Sequence, residues 1–154
     1  MSRTRKKHYP VADIDEPDEN VLLKKQLTAV KAIRKRRLNR HEAEYRQKLK
    51  ELELSREALE AHDGELHEAK EALTDGKELL RSQYLNTVST LGHLREWSDK
   101  EDALKKNVAL ASRVRQKTLE RIDADKEAVE EAKKNYQKTL LSIEKIDIIL
   151  EEVE

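Results

Sequence analysis

The sequence predicts an all-α fold, a long antiparallel two-helix coiled-coil hairpin. Three observations carry this. Seven positions spaced by seven residues hold Leu38, Tyr45, Leu52, Leu59, Leu66, Leu73 and Leu80. A second ladder follows, with steps alternating between three and four: Leu94, Trp97, Glu101, Leu104, Val108, Ala111, Arg115, Thr118, Ile122, Asp125, Val129, Ala132, Tyr136, Thr139, Ile143, Ile146, Leu150 and Val153. Apolar residues at such spacing make a narrow seam on a helix, which buries only against another seam. Third, hydrophobic residues are only 36% of the chain and charged residues 42%, with no Phe, one Trp and four Tyr. That composition cannot fill a globular core, but it suits helices that bury a stripe and solvate the rest. Low hydrophobicity and high charge also mark unfolded chains. Against that reading stand the sustained heptads and a content of three Gly and two Pro.

Residues 1–17 read as a tail. MSRTRKKHYP is basic and aperiodic, and Pro10 and Pro17 bracket an acidic stretch. The hairpin then occupies 18–154. Pro17, Asp18 and Glu19 make a favourable helix start, since acids in the first turn complement the helix dipole. The first helix is expected over about 18–86, a length of about 100 Å at 1.5 Å per residue. Its first seam positions are Leu23, Leu27 and Val30. Val30, Arg34 and Leu38 then follow in steps of four and four, a stutter that relaxes the supercoil. Gly64 and Gly76 fall inside the leucine ladder and read as interior helix residues.

The break is expected within 86–92, with the turn proper at about 87–91. NTVSTLG holds Asn, Ser, two Thr and a Gly, residue types that compete with helix. Ser98 with Glu101 resembles a capping box, but Leu94 already keeps the period, so the second helix is placed at about 92–152. Antiparallel pairing around Val88 and Ser89 sets Leu80 by Trp97, Leu73 by Leu104, Leu66 by Ala111, Leu59 by Thr118 and Tyr45 by Ala132. Alternate layers set Ala69 by Val108, Ser55 by Ile122, His41 by Tyr136 and Leu27 by Leu150. Most large residues then meet small ones, as close packing favours. Leu52 by Asp125, Lys48 by Val129 and His62 by Arg115 are polar misfits that weaken the seam and can fix register.

Net charge is zero, from 32 basic and 32 acidic residues. The distribution is uneven: residues 1–40 carry 12 Lys/Arg against 5 Asp/Glu, and residues 41–80 carry 6 against 12. Cys is absent, which removes disulfides, thiol nucleophiles and thiolate metal sites and suits a reducing compartment. No apolar run approaches the roughly 18 residues of a membrane span, so no direct membrane insertion is expected. No hydrophobic stretch follows the basic start, so no secretory signal is visible.

Nothing in the sequence points to an enzyme. Gly76-Lys77 lacks the upstream Gly and following Ser/Thr of a phosphate-binding loop. His62 and His67 are five residues apart and do not share a helix face, so they read as solvated surface, not metal ligands. No cofactor is expected. The sharpest charge feature is the run of Lys31, Arg34, Lys35, Arg36, Arg37 and Arg40, with no acid in ten residues. One reading is a solvated face partly paired with Asp147, Glu151, Glu152 and Glu154. Another is a charged contact with a protein ring or groove. Nucleic acid is disfavoured, because charge gives non-specific affinity but no stacking aromatics interleave here.

Three segments carry a family resemblance. LTAVKAIRKRRLNRHEAEYRQK (27–48) is a short apolar start followed by an Arg-rich stretch. LGHLREWSDKEDALKKN (91–107) leads through apolar residues to a Trp and then a Leu at helical spacing. YQKTLLSIEKIDIILEEV (136–153) sets a Lys/Glu cluster before an apolar end. Together they resemble the type III secretion central stalk family, YscO with its flagellar counterpart FliJ, across roughly 22–153. The resemblance implies a monomeric, non-enzymatic stalk at the cytoplasmic side of an inner-membrane secretion or virulence apparatus. Its chain-end portion would insert into the pore of a hexameric export ATPase and stimulate it. Its other end would reach the export gate, and the stalk could also bind chaperones of secreted substrates. The implied ATPase contact comprises Leu27, Val30, Arg34, Arg36, Arg37, Arg40, Ile143, Ile146 and Leu150, with Leu23 and Ile149 beside them. The implied gate contact comprises Tyr84, Leu91, His93 and Trp97. The rival expectations are a coiled-coil scaffold, a helical-hairpin chaperone that binds other helical proteins, and a tRNA-binding arm.

Overall fold

A computed structural model of the chain describes residues 19–85 and 91–153. The fold is an all-α helical hairpin of two helices, α1 (Glu19–Leu85, 67 residues) and α2 (Leu91–Val153, 63 residues). The N-terminal tail and the turn expected at about 87–91 lie largely outside the described residues. Glu19 supplies the acid in the first turn of α1. Along both helices, pairs such as Arg46 with Glu42 at 2.6 Å and His67 with Glu71 at 3.0 Å join side chains one turn apart. Thr28, Thr74, Thr118 and Thr139 each donate a hydroxyl hydrogen bond to the carbonyl four residues earlier. Each hydroxyl is thereby satisfied by sharing a carbonyl that the helix already uses, at a small cost in helix stability.

The described residues divide into two compact units: residues 19–46 with 131–153, and residues 47–85 with 91–130. In each, α1 and α2 run antiparallel. In the chain-end unit, Lys31 pairs with Asp147 and Arg34 with Ser142. In the central unit, Ser55 meets Asp125, Asp63 meets Arg115, and Lys77 lies 3.8 Å from Glu101.

The core is a seam one side chain wide. Its most buried members are Ala132, Thr139, Ile143 and Ile146 in the chain-end unit, and Leu52, Ser55, Leu80 and Ile122 in the central unit. None is less than 2% exposed, as expected where each residue has only one facing helix to pack against. Every rung of the second ladder from Trp97 to Val153 is buried or half-buried.

The seam departs from expectation at the start of α1 and at the start of α2. Leu23 and Val30 are 41% and 38% exposed, and Lys31 takes the seam position between Leu27 and Arg34. The steps therefore read four, three, four, and the expected stutter is absent. Lysine is tolerated there because its stem lies along the seam while its ammonium reaches Asp147. On α2, His93 is half-buried and Leu94 is 48% exposed.

Several facing pairs are also one layer further on than expected. Ser55 meets Asp125, where Ile122 was expected, and Tyr45 meets Tyr136 with ring centres 6.2 Å apart, where Ala132 was expected. Leu104 packs over Gly76, and Trp97 over Tyr84. Size matching alone favoured the expected layers. The observed layers also satisfy the carboxylate of Asp125 and seat a leucine where Gly76 has no side chain.

Candidate protein-binding surfaces

The chain-end unit is basic: its described residues carry 13 Lys/Arg and 8 Asp/Glu. Because Leu27, Lys31, Arg34 and Leu38 occupy the seam, the rest of the basic run is turned away from it. Arg34 is half-buried, and its Nη1 donates to the carbonyl oxygen of Ser142 at 3.2 Å. Lys31 is held by Asp147. These two bases tie α1 to α2. Arg36, Arg37 and Arg40 are exposed and make no hydrogen bond or ion pair with any described residue. The run thus separates into two bases that hold the hairpin and at least three that point at solvent.

Arg34, Arg37, Lys138, Thr139 and Ser142 line one shallow groove between the helices of this unit. Arg37 and Arg40 border a second depression with His41 and Glu44, whose own contact is 3.9 Å. The apolar residues expected at this surface fall into two sets. Ile143 and Ile146 are only 6% and 3% exposed, so they pack in the seam and offer little to a partner. Leu27 and Leu150 are half-buried, and Val30 is exposed. Ile33 and Ile149 are exposed as well. Sequence reasoning did not single out Ile33, Lys138 or Lys145. Their signal is positional: each lies three or four residues from another member of the same flank, next to the seam and outside it.

The second expected surface belongs to the central unit. Tyr84 stacks on Trp97 with ring centres 6.0 Å apart and planes 13° apart. The His93 ring is 6.0 Å from Tyr84 on a tilted approach. The Tyr84 hydroxyl donates to Glu96 at 3.2 Å, and Lys100 holds its ammonium 5.9 Å from the Tyr84 ring centre. All three rings are half-buried. They clamp α1 to α2 next to residues 86–90, so most of their surface is already used. Leu91, by contrast, is 71% exposed, and Leu85 and Leu94 are exposed near it.

What these surfaces supply is charge and apolar area, the materials of binding. Among the described residues no group of three or more His, Cys, Asp or Glu is placed to hold a metal ion. No described helix is long and apolar enough to cross a membrane. Compared with family models, curated proteins and solved structures, the chain matches none.

Proposed function

We propose that this chain is a non-enzymatic central stalk of a type III secretion or flagellar export apparatus, of the YscO and FliJ kind. Its chain-end unit inserts into the pore of a hexameric export ATPase, stimulates it, and links it to the export gate at the inner membrane. The observation that supports this reading is the set of bases Arg36, Arg37 and Arg40 on a helical hairpin, exposed and without a partner among the described residues. A shaft inside a ring must touch several equivalent subunits while fitting none of them closely. Long cationic side chains suit that task, because their attraction acts over about 8–10 Å at moderate salt. The gate contact is assigned to the exposed leucines beside the aromatic clamp, Leu91 foremost, with Tyr84, His93 and Trp97 shaping the support beneath them.

The test is ATP turnover by a hexameric export ATPase with and without the full chain. Replacing Arg36, Arg37 and Arg40 with Gln is expected to weaken binding and reduce its salt dependence while leaving the fold intact. These variants are cleaner than truncation after Lys138, which also strips the buried Ile143 and Ile146 from the seam. Full stimulation by the triple Gln variant would overturn the insertion reading. A helical-hairpin chaperone or coiled-coil scaffold is the second reading, favoured by exposed Leu85, Leu91 and Leu94 near one helix junction. In that case helical partners would co-purify without any change in ATPase turnover.

A further inference from the structure

We propose that one flank of the chain-end unit is a docking groove for an acidic amphipathic helix from another protein chain. The proposal rests on the reading above only in taking this flank as a contact surface; it does not require the partner to be an ATPase. The groove shared by Arg37, Lys138 and Ser142 fixes which sides of α1 and α2 lie together. Steps of three and four extend that flank along α1 from Arg37 back to Ile33 and Val30. On α2 the same steps run from Ser142 to Lys145 and Ile149.

Both walls of the groove carry apolar and cationic residues, Val30, Ile33 and Arg37 on α1 and Lys138, Lys145 and Ile149 on α2. Val30, Ile33 and Ile149 are 38%, 54% and 42% exposed. Arg37, Lys138 and Lys145 have no hydrogen-bond or ion-pair partner among the described residues. No carboxylate interrupts the flank between Val30 and Arg37 on α1 or between Lys138 and Ile149 on α2. The nearby acid Asp147 is engaged by Lys31. Two helices side by side leave a furrow in which a third helix can bury an apolar stripe. Cations on both rims then call for acids on both edges of that stripe.

The acids that precede Glu19 in this chain do not reach Arg37 and Lys138, the cations that share the groove. Asp13, Asp15 and Glu16 precede Glu19 by at most six residues, a reach of about 20 Å when fully extended. Arg37 lies eighteen residues beyond Glu19 on α1, about 27 Å along the helix. The part of the tail long enough to arrive carries Arg3, Arg5, Lys6 and Lys7, which the groove repels. Nucleic acid fits less well than a helix. It would use the cations, but it would leave Val30, Ile33 and Ile149 against phosphate, and no exposed aromatic lies on this flank to stack a base.

The test uses the full chain and a synthetic peptide of about six helical turns, with Leu at core heptad positions and Glu on both edges. A matched peptide with Lys for Glu and a single-stranded RNA oligomer are the controls. The Glu peptide is expected to bind at least about tenfold more tightly than the Lys peptide. The triple variant Arg37→Glu, Lys138→Glu, Lys145→Glu should reverse that preference. Arg37→Gln with Lys138→Gln should weaken Glu-peptide binding with unchanged far-UV circular dichroism, which guards against misfolding of the reversed variant. Equal binding of the two peptides, or a preference untouched by the variants, would overturn the proposal. So would RNA binding lost in the variants without any peptide binding, or self-association of the chain that blocks the peptide. ATPase stimulation, read in the same variants, separates the two readings. Reversed peptide preference with full stimulation retains the groove and removes the ATPase contact from it. Lost stimulation without peptide binding sinks the groove alone.

Discussion

The hydroxyl of Ser55 on α1 donates a hydrogen bond to the carboxylate of Asp125 on α2, inside the seam of the central unit. Ser55 is 4% exposed and Asp125 half-buried. A polar layer of this kind contributes little net stability, but it penalises any slip that would set Asp125 against leucine.

Ser55→Ala should therefore cost about 1–2 kcal/mol, because it leaves a partly buried carboxylate without its donor. Ser55→Ala combined with Asp125→Ala should recover part of that loss. Ser55→Val with Asp125→Leu should melt above the natural chain. Thermal melts of the four proteins check this, and additive effects of the two alanine changes would show that the layer is not coupled.

The two interior glycines of α1 should respond in opposite directions. A Cβ at Gly64 meets nothing within 4 Å, so Gly64→Ala should stabilise by about 0.5–1 kcal/mol through backbone entropy alone. A Cβ at Gly76 collides with Cδ1 of Leu104. Gly76→Ala should thus lose the same entropic gain to a displaced leucine and end neutral or destabilised by about 1 kcal/mol. Adding Leu104→Ala to Gly76→Ala should remove the clash. Equal stabilisation by the two single changes, seen by chemical denaturation, would contradict the close approach at Gly76.

Ile143 and Ile146 should behave as core, and Leu141 and Ile148 as surface. Ile143→Ala and Ile146→Ala are expected to cost about 2–4 kcal/mol each. Leu141 and Ile148 are 57% and 56% exposed, so their alanine variants should change stability by less than about 0.5 kcal/mol. A reversed order in thermal melts would place the seam on the wrong side of α2.

The fold class was legible because a seam repeats. From Trp97 to Val153, spacing alone picked side chains that are buried or half-buried, including polar members such as Arg115, Thr118 and Asp125. Hydrophobicity misled where a charged residue occupies a seam position. Val30 looked like a core residue, yet the period runs through Lys31, and the sequence has no local sign that Asp147 waits on the facing helix. The layers came out one step early for a related reason. Side-chain size carries no record of which hydroxyl will satisfy which carboxylate. The expected surface residues were chosen largely for being apolar or basic, and that choice mixed two roles. Ile143, Ile146 and Arg34 hold the hairpin, whereas Arg36, Arg37 and Arg40 face solvent. Only the helix orientation separates them.

The aromatic clamp offers a local probe, because Trp97 is the only tryptophan in the chain. Its ring stacks on Tyr84, whose hydroxyl also reaches Glu96. Tyr84→Phe keeps the stack and loses the exposed hydrogen bonds of the hydroxyl, to Glu96 and from Lys100, so stability should fall by less than about 1 kcal/mol and Trp97 emission should not move. Tyr84→Ala removes the ring that covers Trp97. The loss of an aromatic contact and its buried area should cost about 1–2 kcal/mol, and Trp97 emission should shift to the red as water reaches the indole. The effect should also be local. Residues near Trp97 should lose fluorescence-detected structure at a lower temperature than the helices lose far-UV circular dichroism, since Leu80 is the only buried residue of α1 between Ser55 and Leu85. Coincident transitions by the two probes in Tyr84→Ala would mean that the clamp and the rest of the hairpin melt as one cooperative unit.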